Sequence, residues 1–176
     1  LPLQRGGVMH AYNNHYDKIT GSGINVRASG KAIVERNYFE NSKNPLTCRF
    51  DTVGCGTWHL IANNTTSAAD NAKYGITWDS AGSGGINADT WTSTLSAKPS
   101  LPYTYEPVSA QCVKDKLASY AGVSKNGAQL TAAACGTSTS SSSSSSVASS
   151  SSSSAASSSS SSSSAASSSS SSVSSS

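Results

Sequence analysis

No apolar run in this chain approaches the ~20 residues that a bilayer-spanning helix requires, so no membrane partner is expected. The first residues, Leu1-Pro2-Leu3-Gln4-Arg5-Gly6-Gly7-Val8-Met9, carry no initiator Met, no basic stretch and no apolar core of a signal peptide. A segment so rich in strand and turn residues at position 1 leads us to expect sequence upstream of it. Basic runs and aromatic platforms for bases are lacking too, so the net charge of +3 favours an acidic partner in general but gives no nucleic-acid signature. The four cysteines form no C-x-x-C pair and have no His at zinc-finger distance, which argues against a structural metal. Asp17, Asp51, Asp70 and Asp79 do not cluster as a calcium loop would, and no metal ligand is nominated.

The chain is nearly pure Ser, with a few Ala and Val, from residue 138 to residue 176. Such a segment has no apolar surface to offset its ordering entropy and is expected to be a disordered linker. As a flexible coil, roughly 39 residues give a root-mean-square span of ~31–37 Å. A linker of this kind leads us to expect a further module after it. Residues 1–137 are then the folded domain, and they hold all the charged residues.

Four cysteines permit three pairings. The local one, Cys48–Cys55 with Cys112–Cys135, is favoured over the other two, and closing the longer loop is worth roughly 3 kcal/mol in the chain-entropy model. Disulfides suit an oxidising compartment, as does a Ser-rich spacer between secreted modules.

Within the domain, three segments share one pattern. Met9–Asn14, Ala32–Asn37 and Trp58–Asn63 each place an apolar pair two residues apart (Met9/Ala11, Ala32/Val34, Trp58/Leu60) and then end on Asn. The period of two is that of a half-buried strand, and Gly23-Ile24-Asn25-Val26-Arg27 is a further short strand of this type. Repeats at ~23–26 residues match one coil of a solenoid. Stacked coils would set Asn14, Asn37 and Asn63 above one another, each amide bonding the next. Residues 65–108, rich in Thr, Ser, Gly, Asn and Pro, read as long loops over the coils. A helix is predicted from Ser109, its N-cap, through Val113 and Leu117 to a stop at Gly122.

Leu1–Gly7, His10–Asn14, Gly21–Arg27, Asn44-Pro45, Gly56-Thr57-Trp58, Asn87–Ser93 and Pro107–Lys116 together resemble the bacterial extracellular pectate lyases of the parallel β-helix type. The resemblance runs from residue 1 to about Cys135 and corresponds to the C-terminal portion of such an enzyme. It implies an all-β, right-handed parallel β-helix with long loops and a short C-terminal helix. It also implies a secreted, monomeric enzyme that cleaves polygalacturonate by calcium-assisted β-elimination, leaving a 4,5-unsaturated sugar.

In the family motif Arg-x-Pro-x-x-Arg the first Arg is the base. Pro2 and Arg5 match it, so the base is expected at the position immediately before Leu1, and the Ca²⁺ ligands further upstream, outside this sequence. The isolated chain is accordingly expected to show little or no lyase activity. Arg5 matches the second motif Arg, which binds the uronate carboxylate and supports the transition state, a task suited to a guanidinium fork. Arg27 matches a substrate contact one coil along, and Arg49 and Phe50 follow one coil later, where the family commonly has Arg-Tyr. Phe50 lacks that hydroxyl and is expected to stack on a sugar ring. His10, His15 and His59 read as structural or surface residues. The competing reading is a non-catalytic β-helix that binds acidic polysaccharide. The module expected after the linker is a candidate carbohydrate-binding one.

Overall fold

A computed structural model describes residues 2–49 and 53–136. Phe50 and the Ser-rich segment 138–176 lie outside the described residues. The elements, in chain order, are β1 (Leu3–Arg5), β2 (Val8–Tyr12), β3 (His15–Asp17), β4 (Ile24–Arg27), β5 (Lys31–Glu35), β6 (Tyr38–Glu40), β7 (Leu46–Cys48), β8 (Thr57–Ile61), α1 (Ala69–Lys73), β9 (Ile86–Asn87) and α2 (Ala110–Tyr120).

The first two turns of the chain each give one strand to each of three sheets and the third turn gives strands to two of them, in the orders β1-β4-β7-β9, β2-β5-β8 and β3-β6. Every pairing is parallel except that of β9 with β7. The repeat inferred from sequence is the observed register: Met9 lies opposite Ala32 and Ala32 opposite Trp58, while Ala11 lies opposite Val34 and Val34 opposite Leu60. One residue of slip would turn this whole set out of the core, so the apolar pairs fix the stacking.

The interior is built from Ile24, Val26, Ala32, Val34, Phe39, Leu46 and Trp58, all essentially inaccessible. Burying one such side chain contributes about 1.5–3 kcal/mol. Glycine opens β4 because Pro45 of the next coil passes so close that a Cβ on Gly23 would sit 2.2 Å from its carbonyl oxygen.

The asparagine ladder forms as expected. Asn37 Oδ1 accepts from the Asn14 backbone N–H at 3.0 Å and its Nδ2 at 2.9 Å, and Asn63 Oδ1 accepts from Asn37 N at 2.9 Å and Nδ2 at 3.2 Å. Each buried amide also donates back into the coil before it, Asn37 to the Ala11 carbonyl and Asn63 to that of Val34, both at 2.9 Å. The left-handed backbone at this corner belongs to the preceding residue: Asn13, Arg36 and Ala62 have φ of 52°, 49° and 48°. Arg and Ala adopt that region at a cost, which the ladder bonds beside them offset.

Residues 65–108 do fold over the coils, but they also contain α1 and β9. Asp70 holds the start of α1, accepting from the backbone N–H groups of Thr66 and Ser67 at 2.6 and 3.1 Å. Trp91 packs on Phe39 and Trp78 at the end of the core. Residues 93–95 cover the open edge of β8 through Thr94 and Ser93 hydroxyls that accept from Trp58 N and Leu60 N. The predicted helix is α2, with Ser109 as its N-cap accepting from Cys112 N at 3.2 Å. Both local disulfides, Cys48–Cys55 and Cys112–Cys135, are present.

Candidate functional site

The β1-β4-β7 sheet carries the predicted arginines. Along β4, Ile24 and Val26 point inward and are fully buried, which sends Asn25 and Arg27 to the outer face. Arg5 on β1 lies opposite Arg27 in the parallel register, so two guanidinium groups leave adjacent strands on one face. Arg5 is exposed, and among the described residues its guanidinium has no hydrogen-bonding or ionic partner. Arg27 is half-buried, and its Nε donates to Asn25 Oδ1 at 3.2 Å.

Arg49 follows two residues after Thr47, which is in register with Asn25. Its backbone N–H donates to the same Asn25 Oδ1 at 3.2 Å. The side chain, only 11% exposed, lies under the loop before β9, with Nη1 3.3 Å from Asp79 Oδ2. Lys43 Nζ reaches the other Asp79 oxygen at 3.4 Å, and Asn44 holds the Asp79 backbone N–H at 2.8 Å. The Asn44 amide, with Lys43 and Arg49, keeps the Asp79 carboxyl below the usual carboxylate range. The structure therefore brings Arg5 and Arg27 together as an open pair and sets Arg49 beside them in a fixed ion pair. The Cys48–Cys55 bridge, with a Cα–Cα distance of 5.5 Å, closes the loop that follows Arg49.

A second polar cluster lies on the outer face of the β2-β5-β8 sheet. Glu35, 7% exposed, accepts from Tyr105 Oη at 2.5 Å and faces Lys98 Nζ and His10 Nε2, each at 3.3 Å. Burial works to raise the Glu35 carboxyl, but the Tyr105 hydrogen bond and the Lys98 charge outweigh it, so Glu35 sits below the usual range. Burial, foremost, holds the His10 imidazole below its ordinary value despite the neighbouring carboxylate. On the β3-β6 sheet Glu40 is met by His15 Nε2 at 2.8 Å and by Lys114 of α2. His10 and His15 are thus structural, each bonded to a glutamate on the next coil.

Sequence reasoning missed Asn25, Asp79, Lys43 and the glutamate clusters. One signal was available: His10 and Glu35 are separated by 25 residues, and so are His15 and Glu40. Among the described residues no group of three or more His, Cys, Asp or Glu side chains gathers as a metal site.

Stacked coils closed over three parallel sheets, with arginines leaving successive strands of one of them, define a parallel β-helix protein with a cationic outer face. The family model for pectate lyase matches residues 1–126. Pectate lyase 2 of Pectobacterium carotovorum is 63% identical over 135 residues, which is 77% of this chain and 36% of that protein. Among solved structures, pectate lyase C from Erwinia chrysanthemi at pH 9.5 with 30 mM Ca²⁺ superposes with a TM-score of 0.73 at 57% identity, over 76% of this chain and 38% of that one. A variant of pectate lyase C in complex with pentagalacturonic acid matches with the same TM-score, identity and coverage. The chain belongs to the pectate lyase family, and it spans about a third of the length of the relatives it matches.

Proposed function

We propose that this chain supplies part of the substrate cleft of a calcium-dependent pectate lyase, which cleaves polygalacturonate by β-elimination to 4,5-unsaturated oligogalacturonides. The observation that carries this reading is the Arg5–Arg27 pair: two guanidinium groups in register on adjacent strands, one of them exposed and unpartnered among the described residues. Parallel strands lie about 4.8 Å apart, so the pair offers two closely set forks to carboxylates along one polyuronate chain. In this role Arg5 grips the uronate carboxylate and stabilises the negative charge that builds on it as the C5 proton leaves and the C4–O bond breaks. Arg27 holds a neighbouring uronate. Arg49 lends charge at the rim, sharing its guanidinium with Asp79, and Phe50 remains a stacking candidate on sequence grounds alone.

Calcium enters through the relative whose structure was determined with it. The described residues do not fit that ion: Asp17 is bonded to Asn41, and Asp79 to Arg49 and Lys43, and no carboxylate cluster is formed. Both disulfides support an extracellular location.

Polygalacturonate binding by affinity electrophoresis tests the reading. Arg5→Ala and Arg27→Ala are each expected to weaken retardation and to lower its salt dependence. In the protein of the relatives' full span, Arg5→Ala is expected to slow formation of the ultraviolet-absorbing unsaturated product by about 10²–10³. Unchanged binding and turnover in Arg5→Ala would sink the assignment. Binding with no turnover by that longer protein would favour the non-catalytic reading.

A further inference from the structure

The edge of β4 that faces away from β1 is served by two different segments. Along its first half β7 runs parallel to it, with Ile24 opposite Leu46 and Asn25 opposite Thr47. Along its second half residues 54–56 run antiparallel. There Arg27 is bridged to Cys55, Ala28 N–H donates to the Gly54 carbonyl at 2.8 Å, and Gly56 N–H donates to that of Val26 at 3.0 Å. The Cys48–Cys55 disulfide joins the two segments, with one half-cystine ending β7 and the other opposite Arg27.

The arginine site depends on this shared edge. Asn25 takes both Arg27 Nε and the Arg49 N–H on one oxygen, and Arg49 directly follows Cys48. On the opposite edge of β4 the strand that carries Arg5 is in register with Arg27, and Gly6 N–H donates to the Ala28 carbonyl at 3.1 Å. The Arg27 backbone is thus clamped between the strand of Arg5 and the segment of Cys55.

The second clamp is weak without its crosslink. Both neighbours of Cys55 are glycines, which lose the most conformational freedom on ordering, and two backbone hydrogen bonds do little to offset that loss. No side chain could anchor the segment at Gly56, where a Cβ would lie 2.4 Å from the Gly30 carbonyl oxygen. The covalent tie to the fully buried Cys48 supplies the missing constraint. A bridge serving stability alone gains most by closing a long loop, as Cys112–Cys135 does with a separation of 23. Cys48–Cys55 closes a separation of only 7, and does so at the arginine face.

We propose that Cys48 and Cys55 are positioning residues for uronate binding: their disulfide holds residues 54–56 against β4 and thereby fixes Arg27 and Arg49. The substrate side of this proposal rests on the arginine reading above; the ordering of Arg27 does not.

Two readouts on the full 176-residue chain test it. Cys55→Ala breaks the bridge at its half-buried end and leaves the Cys48 side chain in the core. Cys112→Ala with Cys135→Ala breaks the longer bridge and serves as the control, and thermal unfolding verifies that each variant is folded. In nuclear magnetic resonance, the Arg27 Nε–H signal of Cys55→Ala is expected to move toward that of a solvated arginine and to exchange several-fold faster, while the control leaves it in place. In affinity electrophoresis, Cys55→Ala is expected to weaken polygalacturonate binding roughly fivefold, the scale of one hydrogen bond, and the control to leave it unchanged. Adding Cys48→Ala to Cys55→Ala should change neither readout further, because one bond is already broken. The proposal is overturned if folded Cys55→Ala keeps the parent's Arg27 signal, or if the control disturbs that signal as much. It is equally overturned if Cys55→Ala binds polygalacturonate as tightly as a parent that does bind it. A parent that fails to bind would defeat the arginine reading, and the Arg27 signal would then decide the positioning role by itself.

Discussion

Asn25 Oδ1 accepts from Nε of Arg27, two residues along the same strand, at 3.2 Å, and so turns the free edge of that guanidinium outward. The same oxygen accepts from the Arg49 backbone N–H of the next coil at 3.2 Å, so one amide sets the positions of two arginines. Asn25→Ala is expected to free the Arg27 fork and to weaken polygalacturonate binding several-fold. It also removes the side-chain acceptor of the buried Arg49 N–H, a hydrogen bond worth about 1 kcal/mol of stability. Adding Arg27→Ala to Asn25→Ala should weaken binding by less than it does in the parent, because the two residues act through one contact. A double-mutant cycle in affinity electrophoresis checks this, and full additivity would refute the coupling.

Asn37 is the rung with a neighbour on both sides. Asn37→Ala removes the acceptor for Asn14 and the donor to the buried Ala11 carbonyl, while the Asn63 oxygen keeps only the backbone N–H of residue 37. Buried groups left unpaired cost about 1–3 kcal/mol each, so a loss of roughly 3–4 kcal/mol is expected. Urea unfolding measures it as a lower midpoint with an unchanged slope. A loss of less than about 1 kcal/mol would show that the ladder does not hold the coils together.

Acid should act in two stages. His10 is held below its ordinary value of 6.5, chiefly by burial, so the unfolded chain takes up a proton first and stability begins to fall as pH drops below that value. Burial tends to raise Glu40, as it does Glu35, yet hydrogen bonds from Lys114 and His15 bring it below the usual range. Depressed carboxylates stabilise the fold above their unfolded value of about 4.3, and that contribution is lost as pH falls through the lower folded values. The thermal midpoint is expected to decline gently below about pH 6.5 and steeply below about pH 4. Glu35→Gln should cost about 2 kcal/mol at neutral pH and shallow the steep limb. A midpoint that holds steady to about pH 3 would contradict this.

The Cys112–Cys135 bridge spans 23 residues and ties α2 to the last described segment. Replacing both with Ser is expected to cost about 3 kcal/mol in the chain-entropy model, against about 2 kcal/mol for Cys48 and Cys55, whose separation is 7. Denaturant midpoints of the two double variants give the ranking. The reverse order would place the greater constraint in the loop after Arg49.

The coils were legible because their rule is local. Met9/Ala11, Ala32/Val34 and Trp58/Leu60 each declare an inward face, and the Asn that follows each pair declares the corner. Ser109 declared a helix start for the same reason. Other features rest on residues far apart in the chain. Nothing near Glu35 points to Lys98 or Tyr105, more than sixty residues away. The two-residue β9 exists only because Thr47 and Cys48 offer it an edge. Arg36 and Ala62 are poor left-handed residues by type, and only stacking on Asn13 makes their position necessary. Arg49 follows β7, one coil beyond Arg27, and its Asp79 partner comes from a loop whose path the sequence does not encode locally.

The Asn14–Asn37–Asn63 stack contains no group that titrates, whereas the ion pairs that fasten Lys98 and Lys114 of the outer layer to the coils run through Glu35 and Glu40. Acid and salt therefore weaken the hold on Lys98, Tyr105 and Lys114 of α2 while leaving the spine of amides as strong as before. The molecule should come apart from the outside, shedding its wrapping before its coils.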